Sequence, residues 1–167
     1  WPRRTFLMAI LNVTPDSFSD GGEYLELASS YERAVKSIDI GADIIDIGAQ
    51  STRPGAIDIG PEEELKRLIP ILKLVKNRFP NIIVSVDTYH ANVAKTVLDI
   101  GADWINDISG GRHDSNILNV VADFKCPYIL THSRGDSITM NKHAVYNDVV
   151  NEVINELETL TKKALDS

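Results

Sequence analysis

Residues 40–48 read IGADIIDIG, and the same opening returns as IGADWINDISG over 100–110. Each copy holds Ile-Gly-Ala-Asp, then apolar residues, then a carboxylate before Ile. Gly41 and Gly101 suit the position just past a helix, where left-handed backbone costs glycine little. Asp43 and Asp103 then lie in a short loop that feeds an Ile-rich, strand-length run. A helix closed by glycine and led by a short loop into an apolar strand is one joint of a β/α chain, and the joint occurs twice.

The rest of the chain follows the same plan. Strand-length runs recur as TFLMAILNV (5–13), DIIDIGA (43–49), IIVSVD (82–87), WINDIS (104–109) and PYILTHS (127–133). Between them apolar residues fall at helical spacing: Leu27, Tyr31, Ala34, Val35 and Ile38, then Leu65, Leu68, Ile69, Leu72 and Val75. Further helices are predicted around Val93–Leu98, Ile117–Phe124 and Val149–Leu157. Pro61 followed by Glu62, Glu63 and Glu64 suits a first helical turn. Pro70 interrupts that second helical pattern, which predicts either a kink there or a start beyond Pro61. Five strands buried on both faces and alternating with helices imply a parallel sheet with right-handed crossovers, as an open doubly wound sheet or as a barrel.

Composition sets the outer bounds. With 167 residues and 43% apolar side chains the chain can bury a substantial core and reads as one globular domain. No apolar run approaches the roughly 18 residues of a membrane span, and no signal-peptide pattern opens the chain. A formal charge of −7 disfavours nonspecific attraction to nucleic acid or anionic membrane and leaves a small molecule as the expected partner. The single cysteine, Cys126, has no partner for an internal disulfide and reads as a small buried residue in a reducing compartment. A start at Trp1, already entering an apolar run by Phe6, reads as a fragment of a longer polypeptide.

Polar clusters fall at the carboxyl ends of the predicted strands: NVTPDSFSDGG (12–22) after the first, QSTRPG (50–55) after the second, Asp87, then Asn106 with Asp107, then His132. Ligands bind outside the carboxyl ends of parallel strands in both candidate architectures, so the clusters converge on one face. Asn12, at an apolar strand end, offers a neutral carbonyl oxygen suited to a hard cation such as Mg²⁺. Arg53, between Thr52 and Pro54, offers a guanidinium on a stiffened turn suited to an anion, although a surface turn uses the same residues. Asp87 is costly to desolvate and must be paired, meet a ligand, or cap the next helix. Asn106 must find partners if buried and can give both donor and acceptor to a heterocycle, while Asp107 points the other way along the strand. His90, His113, His132 and His143 show no zinc-ligand spacing, and no GxSxG or Walker-type pattern occurs. GRHD (111–114) reads as a loop and helix start, and His132 stays a candidate for lining the site.

MAILNVTPDSFSDGG, DIIDIGAQSTRPGA, VSVDT and WINDISGG, in that order, resemble the dihydropteroate synthase family of folate biosynthesis, and YNDVVNEV resembles its helix after the fifth strand. The resemblance covers essentially the whole chain. It implies a (β/α)₈ barrel, truncated here to about the first five β/α units, that joins 6-hydroxymethyl-7,8-dihydropterin diphosphate to 4-aminobenzoate and releases diphosphate with Mg²⁺. By position, Asn12 would bind the metal and diphosphate, and Thr52 and Arg53 would contact the diphosphate end of the substrate. Asp87 and Asn106 would grip the pterin, with Asp87 and Arg53 supplying the catalytic electrostatics. Phe18, with Thr52 and Pro54, would form the aminobenzoate pocket, and Asp16–Gly22 and Ser51–Gly55 would close over the reactants. It further implies a homodimer for the full-length protein, in the cytoplasm or, in a eukaryote, the mitochondrion, with fusion to other folate-pathway domains as in fungi and protozoa.

Two departures qualify the resemblance. The family's GGES reads GAQS here, so Ala49 and Gln50 leave one charge missing beside the anion site. Five β/α units fall short of the eight in a barrel of about 250 residues, and the family's later Asp-Pro-Gly, lysine and Arg-x-His segments have no counterpart, so the isolated chain is expected to be inactive. A pterin-binding methyltransferase domain of the same superfamily would share the pterin grip but leave NVTPDSFSDGG and STRPG unexplained. A non-catalytic pterin-binding segment is the reading outside enzymes.

Overall fold

A computed structural model describes residues 4–14, 22–51, 53 and 55–167, with the backbone alone for 22–25. The elements run β1 (Met8–Asn12), α1 (Gly22–Asp39), β2 (Ile44–Gly48), α2 (Pro61–Arg78), β3 (Ile83–Asp87), α3 (Ala91–Asp99), β4 (Trp104–Asp107), α4 (Asn116–Phe124), β5 (Tyr128–Leu130), α5 (Met140–His143) and α6 (Val149–Leu165). All strand pairs are parallel, in the order β1-β2-β3-β4-β5. This order decides between the two architectures. A doubly wound sheet reverses its order at a switch point and carries helices on both faces, whereas consecutive order with crossovers of one hand puts every helix on one side.

The side chains agree. Leu11, Ile45, Ile47, Val84, Val86 and Ile105 face the helices and share one core with Leu68, Leu72 and Val75 of α2, Val93 and Val97 of α3, and Ile117 of α4. The alternate positions face the concave side, polar or glycine at Asn12, Asp46, Gly48, Ser85, Asp87 and Asn106 and apolar at Met8, Ile10, Ile44, Ile83, Trp104 and Ile129. Burial on both faces, the sequence expectation, holds for all of β2 and the middle of β3, whereas Ile10 and Asn12 of the edge strand β1 are exposed on the inner face. The result is the curved wall of a barrel, with β1 and β5 at its edges and Ile10 on the inner face 69% exposed.

The repeated joint works alike in both copies at the amino ends of the strands. Gly41 and Gly101 adopt φ of 108° and 107°. The Asp43 carboxylate accepts from the Leu7 backbone N–H at 2.9 Å, and Asp103 accepts from that of Val84 at 2.8 Å, so each Asp ties its own strand to the preceding one. Arg4 pairs with Asp43 and Lys76 with Asp103. Counting from these residues, the counterpart of Asp46 is Asn106 rather than Asp107, so the later carboxylates of the two copies are not equivalent.

Helix α2 begins at Pro61 and runs on through Pro70 to Arg78. A mid-helix proline costs about 3 kcal/mol through its lost hydrogen bond and ring clash. Leu68, Ile71, Leu72 and Val75 on either side of it are fully buried and hold the helix against the sheet.

Candidate active site at the carboxyl ends of the strands

The first four strands end level with one another. Asn12 lies opposite Gly48, Gly48 opposite Asp87, and Asp87 opposite Asn106, so all four positions face the concave side in one row. A methyl group at Gly48 would lie 3.3 Å from Asp87 Oδ2 and 3.6 Å from Asn12 Oδ1. The missing side chain thus lets the carboxylate and the amide oxygen approach each other across β2. One layer deeper, Asp46 Oδ2 accepts from Asn106 Nδ2 at 3.0 Å. Asp46 Oδ1 and Ser85 Oγ are buried and have no hydrogen-bond partner among the described residues.

Burial pushes the Asp87 carboxyl up to about 7, the charges of Asp46 and Asp107 push it the same way, and no hydrogen bond among the described residues offsets them. Unsatisfied acceptors beside an acid that can hold its proton near neutrality suit a planar ligand with N–H groups along one edge. Asp87 is not a helix cap: the first backbone N–H of α3, from Ala91, donates to Asp114 Oδ2 at 3.0 Å. Asp107 points to the helix side, as its position predicts. It accepts from the backbone N–H groups of Ser109 and Gly111 and from the Tyr128 hydroxyl, at 2.6, 2.7 and 2.6 Å, and so shapes the turn after β4.

Of the other predicted site residues, Arg53 is exposed, while Thr52, Pro54, Phe18 and the stretch 15–21 lie outside the described residues. His132 does not face the row; its Nε2 lies 2.8 Å from Glu156 Oε2 on α6. Arg134 joins the same pair, donating to Glu152 at 2.6 Å and also to Glu156, so these residues fasten the end of β5 to α6. The Gln50 departure has a structural use. Its Nε2 donates to the carbonyls of Ser51 and Ile57 at 2.9 and 3.0 Å, and its Oε1 accepts from the Ile59 N–H at 2.9 Å. The side chain is turned into its own loop.

Two groups went unnoticed in the sequence. Asp46 sits in an Ile-rich run, and its inward direction follows only from strand register. Glu64 looks like one of three first-turn acids, yet it is 1% exposed. Burial pushes its carboxyl up to about 7, and the charges of Asp87 and Asp58 add to the rise. Beside it Asp58, His90 and His113 come together from three loops. A cleft of about 550 Å³ opens between those loops and the one after β5, lined by Gln50, Asp58, Tyr89, Arg112, His113 and Ser137. The concave row and this cleft lie at the same end of the sheet.

A one-handed parallel sheet with a partly unsatisfied polar row at its carboxyl end defines a ligand-binding β/α barrel. Among known proteins, the family model described as pterin binding enzyme matches residues 8–167. The chain belongs to that family. It is 47% identical over 153 residues to a dihydropteroate synthase of Synechocystis, covering 92% of this chain and 53% of the relative. It is 45% identical over 169 residues to a mitochondrial folate synthesis bifunctional protein of Pisum sativum, covering 98% of this chain and 33% of the relative. A crystal structure of dihydropteroate synthase from Clostridium difficile in the presence of pteroic acid superposes with a TM-score of 0.88 at 36% identity, covering 98% of this chain and 60% of that one. The chain thus spans between a third and 60% of the length of these proteins. Its five β/α units make up part of such a barrel.

Proposed function

We propose that the full-length protein is a dihydropteroate synthase, condensing 6-hydroxymethyl-7,8-dihydropterin diphosphate with 4-aminobenzoate to give 7,8-dihydropteroate and diphosphate. The observation that carries this reading is the inner row: Asp87 level with Asn106, above buried Asp46 Oδ1 and Ser85 Oγ that lack partners, in a chain of the pterin binding enzyme family. A pterin offers ring N–H and amino donors along one edge, which match these acceptors. Pteroic acid, present in the Clostridium difficile structure, is the pterin already joined to aminobenzoate.

In this reading the C–O bond to diphosphate breaks, leaving an electron-poor methylene on the pterin, and the neutral arylamine nitrogen forms the new C–N bond. The Asp87 carboxylate stabilises positive charge spread into the ring, and Arg53, exposed on the β2–α2 loop, holds the departing diphosphate. Thr52 assists Arg53, and Phe18 with Thr52 and Pro54 holds the aminobenzoate. Catalysis is electrostatic positioning and needs no side-chain nucleophile.

Mg²⁺ fits the residues present. Asn12 places one neutral oxygen at an exposed strand end close to Asp87 across Gly48, and Mg²⁺ takes few protein oxygens when substrate phosphates complete its shell. Asn12 would hold the ion, which when bound neutralises charge on the diphosphate. The remaining β/α units of the same domain belong to the rest of the full-length protein, which works as a homodimer; α6 offers exposed Val149, Val150 and Ile154 to such an interface. No described helix is long and apolar enough to cross a membrane; of the cytoplasmic and mitochondrial locations expected, the name of the Pisum sativum relative supports the mitochondrial one.

The test is calorimetric titration of a pterin analogue into the full-length protein. Asp87→Asn and Asn106→Ala each leave buried polar groups unmatched, at about 1–3 kcal/mol, and should weaken binding about tenfold or more. Phe18→Ala is the control on the aminobenzoate side. Loss of pterin affinity in Phe18→Ala with none in the other two variants would reverse the pockets and reject the assignment.

A further inference from the structure

The cluster beside Glu64 is not used by the transferase reading. Asp58 Oδ1 lies 3.4 Å from His90 Nε2, and Asp58 Oδ2 lies 3.8 Å from His113 Nε2. One ligand atom from each of the three residues falls within 4.8 Å of the others. The two imidazoles meet edge to face with centroids 5.0 Å apart. Behind them the Glu64 side chain is 2% exposed, with Oε2 at 3.9 Å from His90 Nε2 and Oε1 without a hydrogen-bond partner among the described residues.

We propose that Asp58, His90 and His113 form a second metal site, which takes a Zn²⁺-class cation on two imidazole nitrogens and one carboxylate and clasps the β2–α2 loop to the loops after β3 and β4.

The donor set excludes the chemistry assigned to Asn12. Mg²⁺ prefers oxygen, whereas imidazole suits zinc and its neighbours in the transition series. Zinc bonds of 2.0–2.1 Å in a tetrahedron place ligand atoms about 3.3 Å apart. The Asp58–His90 separation of 3.4 Å is already at that value. The remaining contraction falls on Asp58 and His113, whose side chains are 41% and 44% exposed and so have room to move. Asp58 is also oriented from behind, since its Oδ1 accepts from the Gly60 N–H at 2.7 Å. Such outer contacts fix the direction of a ligating carboxylate. Glu64 supplies a second negative charge, so a divalent cation with Asp58 and Glu64 would be neutral overall. The three ligands come from separate loops, and Asp58 and His113 also line the cleft, so an ion here would fix one wall of it.

The site is tested on full-length protein stripped with a chelator. Calorimetric titration with Zn²⁺ should show a single tight site, and Co²⁺ in its place should give the visible absorption of tetrahedral coordination. His90→Ala and His113→Ala should each weaken Zn²⁺ binding at least tenfold, and the double variant should lose the Co²⁺ absorption, while Asn12→Ala retains both. The exposed position of His113 keeps that variant folded, which circular dichroism verifies. Zn²⁺ binding that survives the double substitution, disappears with Asn12→Ala, or is lacking in the parent overturns the proposal. Because no step uses substrate, failure of the transferase reading leaves these measurements interpretable.

Discussion

Gly48 faces Asp87 across the β2–β3 pair so closely that a single added methyl would meet the carboxylate oxygen at 3.3 Å. That distance is tighter than ordinary contact, and the Asp87 carboxylate would have to give way by a few tenths of an ångström to relieve it.

Gly48→Ala should therefore weaken binding of a pterin analogue by roughly five- to tenfold, or about 1–1.4 kcal/mol, while the protein stays folded. Calorimetry alongside a denaturation curve separates the two effects. Unchanged pterin affinity would show that the approach of Asp87 and Asn12 across Gly48 is not used.

The raised carboxyl of Asp87 makes stability depend on pH. Its value is about 3.8 unfolded and about 7 folded, so between these limits the folded state holds more protons than the unfolded one. The Asp87 contribution is thus most favourable at low pH and declines as pH rises from about 4 to about 7, with the full penalty above that. Asp87→Asn should remove this slope and stabilise the ligand-free protein at pH 8 by on the order of 2 kcal/mol, with little effect near pH 4. Urea midpoints across this range provide the measurement; parallel curves for parent and variant would contradict it.

Gln50 closes its loop with three hydrogen bonds that use both ends of the amide. Gln50→Ala should lower stability by about 1–3 kcal/mol and speed hydrogen exchange at the Ile59 amide, since buried loop groups lose their partners. Full protection of Ile59 in the variant would argue that the loop is held elsewhere.

Lys125 ends α4 with φ of 52°, a left-handed conformation that a side chain disfavours. Lys125→Gly should stabilise the fold by about 1 kcal/mol, read as a higher denaturation midpoint with unchanged ligand affinity. A lower midpoint would mean that the added freedom of the unfolded glycine outweighs the relief.

Much of this was legible in residue order. The five strands and their helices were visible because apolar period and glycine punctuation are local properties, and both Ile-Gly-Ala-Asp joints proved to do one job. Asn12, Asp87 and Asn106 stood out because polar residues at apolar strand ends are expensive unless used. The choice between barrel and open sheet was not local. It depends on which strand lies beside which, and composition is the same for either order.

Direction and meeting were likewise decided by the tertiary structure. Asp46 and Asp107 look equivalent in the two repeats, yet one faces inward and the other faces the helices, because a one-residue offset in a strand reverses the side chain. That Gln50 closes its own loop with three hydrogen bonds is likewise visible only once the loop has folded back onto it. The histidines showed no zinc-ligand spacing because Asp58, His90 and His113 are far apart in the chain and adjacent only where three loops converge. Short-range sequence sets element type through periodicity and backbone preference, whereas ligand geometry depends on register and loop packing, which arise only once the strands are paired.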